Sequence, residues 1–283
     1  MKKGTLYLVS TPIGNLKDIT LRALDCLKSV SVIFAEDTRV TLKLLRYHNI
    51  VPRKIISCNT FNEVSRFKII INALEESKEL ALVSDAGTPL INDPGFFIVK
   101  KLRLQGYKVV PIPGPSSLIT SLSIGCIPIN NFQFLGFCPS QEKARYKFLS
   151  KISLAKMTSV FYETKHRIIF SLKDIFSIMP DRDICVLKEL TKKNEQVFFG
   201  KVEKILETFK KDTNLIRGEF TIIVSGSNDL FKKIDIPNKI HNLIKILVEE
   251  NLSTKKISSI ANMLTDLDKN FLYKKIINMK REN

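Results

Sequence analysis

No stretch of this 283-residue chain approaches the roughly eighteen consecutive apolar residues that a membrane-spanning helix needs, so a helical membrane protein is excluded. The start, Met1-Lys2-Lys3-Gly4-Thr5, is basic like a secretory leader. The apolar run behind it, Leu6 to Ser10, is too short for one, and no small-residue cleavage site follows; a cytoplasmic protein is expected. The five cysteines (Cys26, Cys58, Cys126, Cys138, Cys185) contain no C-x-x-C pair and are odd in number, which argues against a disulfide framework and for reduced thiols. His48, His166 and His241 are far apart in sequence, so a zinc site, or any metal site, is not expected. The first strand-like segment is followed neither by G-x-G-x-x-G nor by G-x-x-x-x-G-K-[ST], which argues against an ordinary dinucleotide site and an NTPase. Positive charge, by contrast, is abundant: 45 Lys+Arg stand against 28 Asp+Glu, for a net +17. The excess is spread along the chain rather than gathered in a tail. Such a balance suits a polyanionic partner such as nucleic acid. A proteome biased to Lys, Asn and Ile would also raise it, so the motifs must decide.

Hydrophobic periodicity predicts alternating strands and helices. Thr5 to Ser10 reads as a buried strand, and Leu21 to Val30 as a helix on Leu21, Leu24 and Leu27. Val30 to Ala35 is a second strand, Leu42 to Tyr47 and Glu63 to Leu74 are helices, and Leu80 to Ser84 is a strand. Phe96 to Gln105 is a helix closed by Gly106, and Val109 to Pro111 is a short strand. Pro113-Gly114-Pro115-Ser116-Ser117 then breaks it and starts the next helix. This alternation implies an α/β sheet with crossovers. The second half offers a linking strand over Asn130 to Cys138 and a polar, basic stretch over Pro139 to Lys151. Further strands follow at Ser159–Tyr162, Ile184–Leu187, Gln196–Phe199 and Phe220–Val224, with helices at His166–Ile178 and Val202–Lys211. Gly226 to Pro237 reads as a linker. Three helical segments follow it, at Lys239–Glu250, Thr254–Leu264 and Asp268–Asn278. The expected division is residues 1–118, 119–228 and 238–283.

In open α/β sheets, ligands collect at the carboxyl ends of strands. Four loops rich in Gly, Pro or polar residues sit at such ends: Thr11–Asn15, Glu36–Arg39, Asp85–Gly95 and Pro113–Ser117. The run Ser84-Asp85-Ala86-Gly87-Thr88-Pro89-Leu90-Ile91-Asn92-Asp93-Pro94-Gly95 is the most specific of them. Gly87 lets backbone approach a ligand, and Pro89 and Pro94 stiffen the loop. Glu36-Asp37-Thr38-Arg39 reads both as a helix cap and as a polar rim. Asn15 and Asp18 lie beside the first turn. In the second half, Phe161-Tyr162-Glu163-Thr164-Lys165-His166-Arg167 supplies an aromatic for stacking and, in Arg167, a partner for phosphate. His166 alone reads as a capping or solvated histidine. Lys188-Glu189-Leu190-Thr191-Lys192 ends another strand with mixed signs.

Taken in order, these pieces resemble the tetrapyrrole-methylase-like superfamily, and within it the branch that methylates ribosomal RNA. The resemblance rests on Leu6 to Leu16, Glu36 to Arg39, Ser84 to Gly95, Pro113 to Ser116, Phe134 to Phe137, Phe161 to Glu163, His166-Arg167, Glu189 to Lys192 and Arg217 to Phe220, and runs from Gly4 to about Gly226. It implies two α/β domains with a cofactor cleft between them, a small C-terminal helical module of helix-turn-helix character, and a homodimer. It implies S-adenosylmethionine (SAM) as methyl donor and 2′-O-methylation of a cytidine in the decoding region of 16S ribosomal RNA, on the small ribosomal subunit. Carried over, the cofactor pocket comprises Pro12, Asp85, Gly87, Thr88, Pro89, Ser116, Ser117, Phe161, Tyr162, Leu187 and Thr221. Asn15, Asp18, Arg167 and Lys192 become substrate contacts, and Glu36, Asp37, Arg39 and Lys188 catalytic candidates. The chain departs from the family's habit at four positions, where Lys188 stands for the usual Arg, Thr164-Lys165 for Ser-Pro and Cys138 for Leu, and it matches only loosely over Ser121 to Pro128. Lys cannot make the bidentate fork of Arg, which matters most at position 188.

The implied reaction needs a base within reach of the ribose hydroxyl. Glu36, Asp37, Asp18, Glu163 and Lys188 all qualify on residue type. Two rival readings stand beside it. One is a same-fold methyltransferase acting on a tetrapyrrole or a modified protein side chain; the other is a non-catalytic RNA-binding protein with a vestigial site. The net charge and the basic tail favour RNA, and the complete Asp85–Gly95 loop disfavours a vestigial site.

Overall fold

The computed structural model describes residues 3–227, 238–250, 252–265 and 269–282, which divide into two compact units separated after Ser227. The first unit opens with β1 (Thr5–Val9), α1 (Leu21–Ser29), β2 (Val32–Ala35), α2 (Thr38–Tyr47) and β3 (Ile55–Ser57). It continues with α3 (Glu63–Glu75), β4 (Leu80–Val83), α4 (Phe96–Leu104), β5 (Lys108–Ile112) and α5 (Ser117–Ile124). The five strands form one parallel sheet in the order β3-β2-β4-β1-β5. Both faces are covered, so each strand reads as an unbroken apolar run whose side chains alternate between two cores. Along β2, Val32 and Phe34 enter the core shared with α3 and α4, while Ile33 and Ala35 enter the one shared with α1 and α2. Leu80 and Leu82 against Ala81 and Val83 repeat the pattern on β4. The helices after β1 and β4 therefore lie on opposite faces, and the chain leaves these neighbouring strand ends in opposite directions. That divergence is the topological switch point where open sheets place their ligands.

The same unit continues with β6 (Phe132–Phe137), α6 (Glu142–Leu154), β7 (Thr158–Thr164), α7 (Ile168–Ile178), β8 (Asp183–Lys188), β9 (Gln196–Lys201), α8 (Val202–Lys211), a 3₁₀ turn (Thr213–Ile216) and β10 (Glu219–Val224). The second sheet has the order β6-β7-β10-β8-β9, parallel only between β6 and β7. One face packs Phe161, Val186 and Ile222 against α6, α7 and α8. The other packs Val160, Cys185, Leu187 and Ile223 against Leu122 of α5 and against Ile13 from the turn after β1. The first sheet's turn is thus built into the second sheet's core.

The second unit comprises α9 (Asn238–Glu249), α10 (Thr254–Met263) and α11 (Lys269–Glu282) around Ile244, Ile257, Ala261, Leu272 and Ile276. Ser253 caps α10 by accepting from Lys256 N. Most of the expected linker, residues 228–237, lies outside the described residues. Among the described residues no helix is long and apolar enough to cross a membrane.

Several elements differ from the sequence reading, each for a local reason. Helix α2 begins at Thr38 rather than Leu42, because the Asp37 carboxylate accepts from Arg39 N and starts it there. The polar, basic stretch after Pro139, to which the sequence reading assigns no element, forms helix α6, which buries Leu149 and Ile152 and, unusually, the Arg145 guanidinium on Asp174 (2.6 Å). Strand β3 has three residues and the 3₁₀ turn four, too few for periodicity to register.

Phe161 was expected at the cofactor, yet its ring is fully buried in the second sheet's outer core, edge-on to Phe148 with centroids 5.4 Å apart. Phe161→Ala should therefore cost about 3–5 kcal/mol in urea unfolding; a loss below about 1 kcal/mol would place the ring outside the core.

Candidate functional site

Three strand-end loops of the first sheet are tied together at the switch point. Thr11 and Gly87 exchange backbone hydrogen bonds, Thr11 N to Gly87 O at 2.9 Å and Gly87 N to Thr11 O at 3.0 Å. The Thr11 hydroxyl donates to Ser84 O (3.0 Å), the Ser10 hydroxyl to Thr88 Oγ1 (3.2 Å), and Thr88 Oγ1 to Pro115 O (3.2 Å). The turns after β1, β4 and β5 are so joined by consecutive hydrogen bonds. Gly87 has φ +83°, a left-handed conformation that side chains other than glycine rarely adopt. Beyond it the loop bends again at Leu90 (φ 74°) and Asn92 (φ 66°), which returns Asp93 toward the strand ends.

The loop after β2 is latched to this array by reciprocal contacts. Asp37 N donates to Asp85 Oδ1 (2.9 Å), and Asp85 N donates to Glu36 Oε2 (3.3 Å). The second sheet reaches the array through Gly14. A Cβ there would sit 2.5 Å from Lys192 Cγ and 2.9 Å from Leu190 O, so only glycine admits the Glu189–Lys192 turn so close. Asn15 N donates to Thr191 Oγ1 (3.1 Å) and fixes that approach.

Between the two sheets these loops enclose a cavity of about 370 Å³. Backbone and side chains of Asp85 to Thr88 form one wall, and Ser116, Ser117 and Tyr162 another, with the Ser117 hydroxyl 2.6 Å from the Tyr162 hydroxyl. Phe134 and Phe137 meet the Tyr162 ring edge-on at 4.9 and 5.3 Å. Ile13, Leu187 and Leu190 supply apolar surface, and Thr221 lines the second sheet's edge. Five carboxylates line it: Glu163 and Glu219 are paired with Arg167 and Lys192, and the other three, Glu36, Asp85 and Asp93, form no ion pair among the described residues. Burial raises all three above the ordinary carboxylate range. Asp93 goes furthest, to about 6, because Glu36 and Asp85 add to its burial while its hydrogen bond with Ser84 only partly offsets them. Lys192, which also lines the cavity, is already paired. Burial would lower it, but Glu219 (2.8 Å) and Glu189 (2.9 Å) hold its ammonium above the usual range. The cavity is therefore partly apolar, edged with hydroxyls, and electronegative.

A second cavity of about 340 Å³ adjoins it, sharing Ile13, Asp85, Ala86, Lys192 and Glu219, and extends over Thr11 to Gly14 and the first turns of α2.

The residues expected at the site divide cleanly. Asp85, Gly87, Thr88, Ser116, Ser117, Tyr162, Leu187, Thr221, Glu36 and Lys192 line the first cavity. Pro12 lines the second, and Asn15 a shallower cleft further out. Pro89, Phe161 and Asp18 line none of these. Asp37 and Arg39 also stay outside: they form a two-point ion pair (2.5 and 3.0 Å) that drives Asp37 down to about 2. Arg167 is occupied by Glu163 (2.9 Å). Glu163 also lines the first cavity, but it is buried and accepts from Thr164 N, Arg167 Nε and the Ser171 hydroxyl, so it anchors β7 to α7. Lys188 points away from the cavity, toward Gln196 and Asn214. Asp93, Phe137, Leu190 and Glu219 are cavity residues that sequence reasoning did not single out. For Asp93 the signal was present in the Asn92-Asp93-Pro94-Gly95 turn, but its inward return depends on two left-handed residues that only the backbone reveals.

The family model described as tetrapyrrole (corrin/porphyrin) methylases matches residues 5–206. The chain is 43% identical over 281 residues to the ribosomal RNA small subunit methyltransferase I of Buchnera aphidicola subsp. Schizaphis graminum, covering 99% of this chain and 98% of that protein. It is 40% identical to the protein of the same name from Vibrio cholerae, covering 95% and 93%. Among solved structures it resembles uroporphyrin III C-methyl transferase from Thermus thermophilus (18% identity, TM-score 0.54, 81% of this chain and 100% of that one). It likewise resembles a cobalt precorrin-4 methyltransferase (17% identity, TM-score 0.58, 78% and 94%).

The raised pKa of Asp93 has a sign that can be checked. A carboxyl raised from 3.8 to about 6 stabilises the fold below pH 4, and that contribution is lost as pH rises through 6. Asp93→Asn should melt a few degrees above the parent at pH 7.5, with the gap closing by pH 4, in calorimetry without ligand. An equal gap at both pH values would show that Asp93 ionises without cost.

Proposed function

Because the chain belongs to the tetrapyrrole methylase family, and within it to the ribosomal RNA small subunit methyltransferase I family, we propose that it transfers a methyl group from SAM to the 2′-hydroxyl of a cytidine in 16S ribosomal RNA. The observation that carries this reading is the cavity at the switch point, with its apolar walls, its hydroxyls of Thr88, Ser116, Ser117 and Tyr162, and three carboxylates, Glu36, Asp85 and Asp93, that form no ion pair among the described residues. That donor set fits a cationic sulfonium bearing an adenosine and an amino-acid tail. SAM supplies the activated methyl group. The Asp85–Thr88 backbone, Ser116 and Ser117 would hold its polar edges, Tyr162 and Leu187 its flat apolar face, and Glu36, Asp85 and Asp93 its positive charge. Pro12, Gly87 and Thr221 complete the surroundings of that pocket in this reading.

The adjoining cavity would receive the ribose. Its shared wall places Asp85 and the Lys192–Glu219 pair between donor and acceptor. Orientation of two bound reactants across that wall would supply much of the rate. Glu36 and Asp85, desolvated and raised, are the carboxylates best placed to take the hydroxyl proton. The small subunit as substrate is supported by the substrate class in the relatives' names and by the net charge of +17; action as a homodimer and a cytoplasmic location are carried into the proposal from the family resemblance.

Tritiated SAM incubated with small subunits lacking the modification should place label in ribosomal RNA, and subunits already methylated should accept none. SAM binding without transfer to any RNA would sink the proposal. A second outcome follows from the carboxylates. SAM affinity should fall as pH drops through about 6, where Asp93 takes up a proton, while the uncharged product S-adenosylhomocysteine should show a weaker dependence. Parallel pH profiles for the two ligands would remove the charge argument.

A further inference from the structure

The clefts on this face form a series. The second cavity, which carries Lys43, shares Gly14, Leu16 and Lys192 with a shallower cleft that adds Tyr47 and Lys193. That cleft shares Lys193 with a fourth one, lined by Lys188, Gln196, Asn214 and Arg217. The series therefore leads outward from the methyl-transfer cavity across the turns after β1 and β8.

Its chemistry changes along the way. Tyr47 ends helix α2 with its ring 48% exposed, set edge-on to His48 at 4.9 Å. Among the described residues, Lys43, Lys193, Arg217 and Lys188 form no ion pair. Lys188 is the most telling. It is 6% exposed, and its ammonium meets only two neutral acceptors, Gln196 Oε1 at 3.3 Å and Asn214 O at 3.4 Å. A buried cation is ordinarily matched by a buried anion. The carboxylates nearby are already engaged: Glu189 by Lys192 and Glu219 N, Glu195 by Thr191 N, and Asp212 by Asn214 N. Lys188, Lys193 and Arg217 thus line this cleft without an ion pair of their own among the described residues, with Glu189 close enough to feel the charge of Lys188.

Resting on the methyltransferase reading above, we propose that this series of clefts is the path of the single-stranded RNA flanking the methylated nucleotide, with a base stacked on Tyr47 and phosphates held at Lys193, Arg217 and Lys188. An aromatic face followed by unpaired cations is the recurring arrangement for an unpaired strand, and a duplex offers no free base for the ring. Lys188 then has a role that keeps it away from the reacting atoms: it anchors the strand where the path ends.

The test is fluorescence anisotropy of the full-length protein with a labelled single-stranded oligoribonucleotide of about ten residues, and with the same strand annealed to its complement. The single strand should bind more tightly. Tyr47→Ala should weaken it about tenfold, the effect of losing one base stack. The double variant Lys193→Ala/Arg217→Ala should lower the slope of log K against log salt by about 1.4, or about 0.7 per phosphate contact. SAM affinity by calorimetry should be unchanged in both, since none of these residues lines its cavity. Wild-type affinity and slope in both variants, with methyl transfer intact, would overturn the path and leave the enzyme reading standing. Equal binding of duplex and single strand would also overturn it. A wild-type protein that neither binds RNA nor transfers methyl to it would overturn the reading beneath.

Discussion

The exchange of two backbone hydrogen bonds between Thr11 and Gly87 is the constraint on which the site depends. Each bond contributes only about 0.5–1.5 kcal/mol net. Their consequence is geometric, because they join the turns after β1 and β4 at the one place in the sheet where the chain diverges to opposite faces. Ser10, Thr88 and Pro115 carry the connection on to the turn after β5, and Asp85 carries it to the turn after β2. Four loops that could each move alone are held as one surface. Gly14 then lets the Glu189–Lys192 turn close onto that surface, so that the second sheet becomes the opposite wall.

The distribution of charge follows from the same arrangement. Acidic groups are drawn inward, where Glu36 accepts the Asp85 amide, Asp85 accepts the Asp37 amide, and Asp93 is folded back beside them. Basic groups are kept at the rim, either paired, as Arg39 and Lys192 are, or unpaired along the outer clefts. A cationic donor and a polyanionic acceptor are thereby attracted to different parts of one continuous depression. In this account, a protein with a large positive net charge keeps an electronegative pocket at its centre because burial and strand-end hydrogen bonding, not average composition, set the local field.

Much of this was legible in the residues. The alternation of strands and helices, the strand-end loops and the long Ser84–Gly95 run all point to a switch-point ligand site, and most of the residues expected there do line the cavity. What was not legible depends on direction. Phe161 and Tyr162 are adjacent on one strand and so face opposite sides; the pleat sends Tyr162 to the cavity and Phe161 to the core. Glu163 read as a candidate base and Arg167 as a phosphate partner, but they pair with each other across the turn from β7 to α7. Lys188 sits at a strand end like the cavity residues, yet its side chain leaves by the other side of the hairpin. Residue type and spacing carry no information on which way a strand-end side chain turns.

If the joined loops build the cofactor pocket, the most direct test is to fill it from its centre. Calorimetric titration of SAM into Gly87→Arg should give no measurable heat of binding while the variant still unfolds cooperatively. Wild-type affinity in that variant would contradict the account, because an arginine side chain at position 87 and SAM cannot share the cavity between the two sheets.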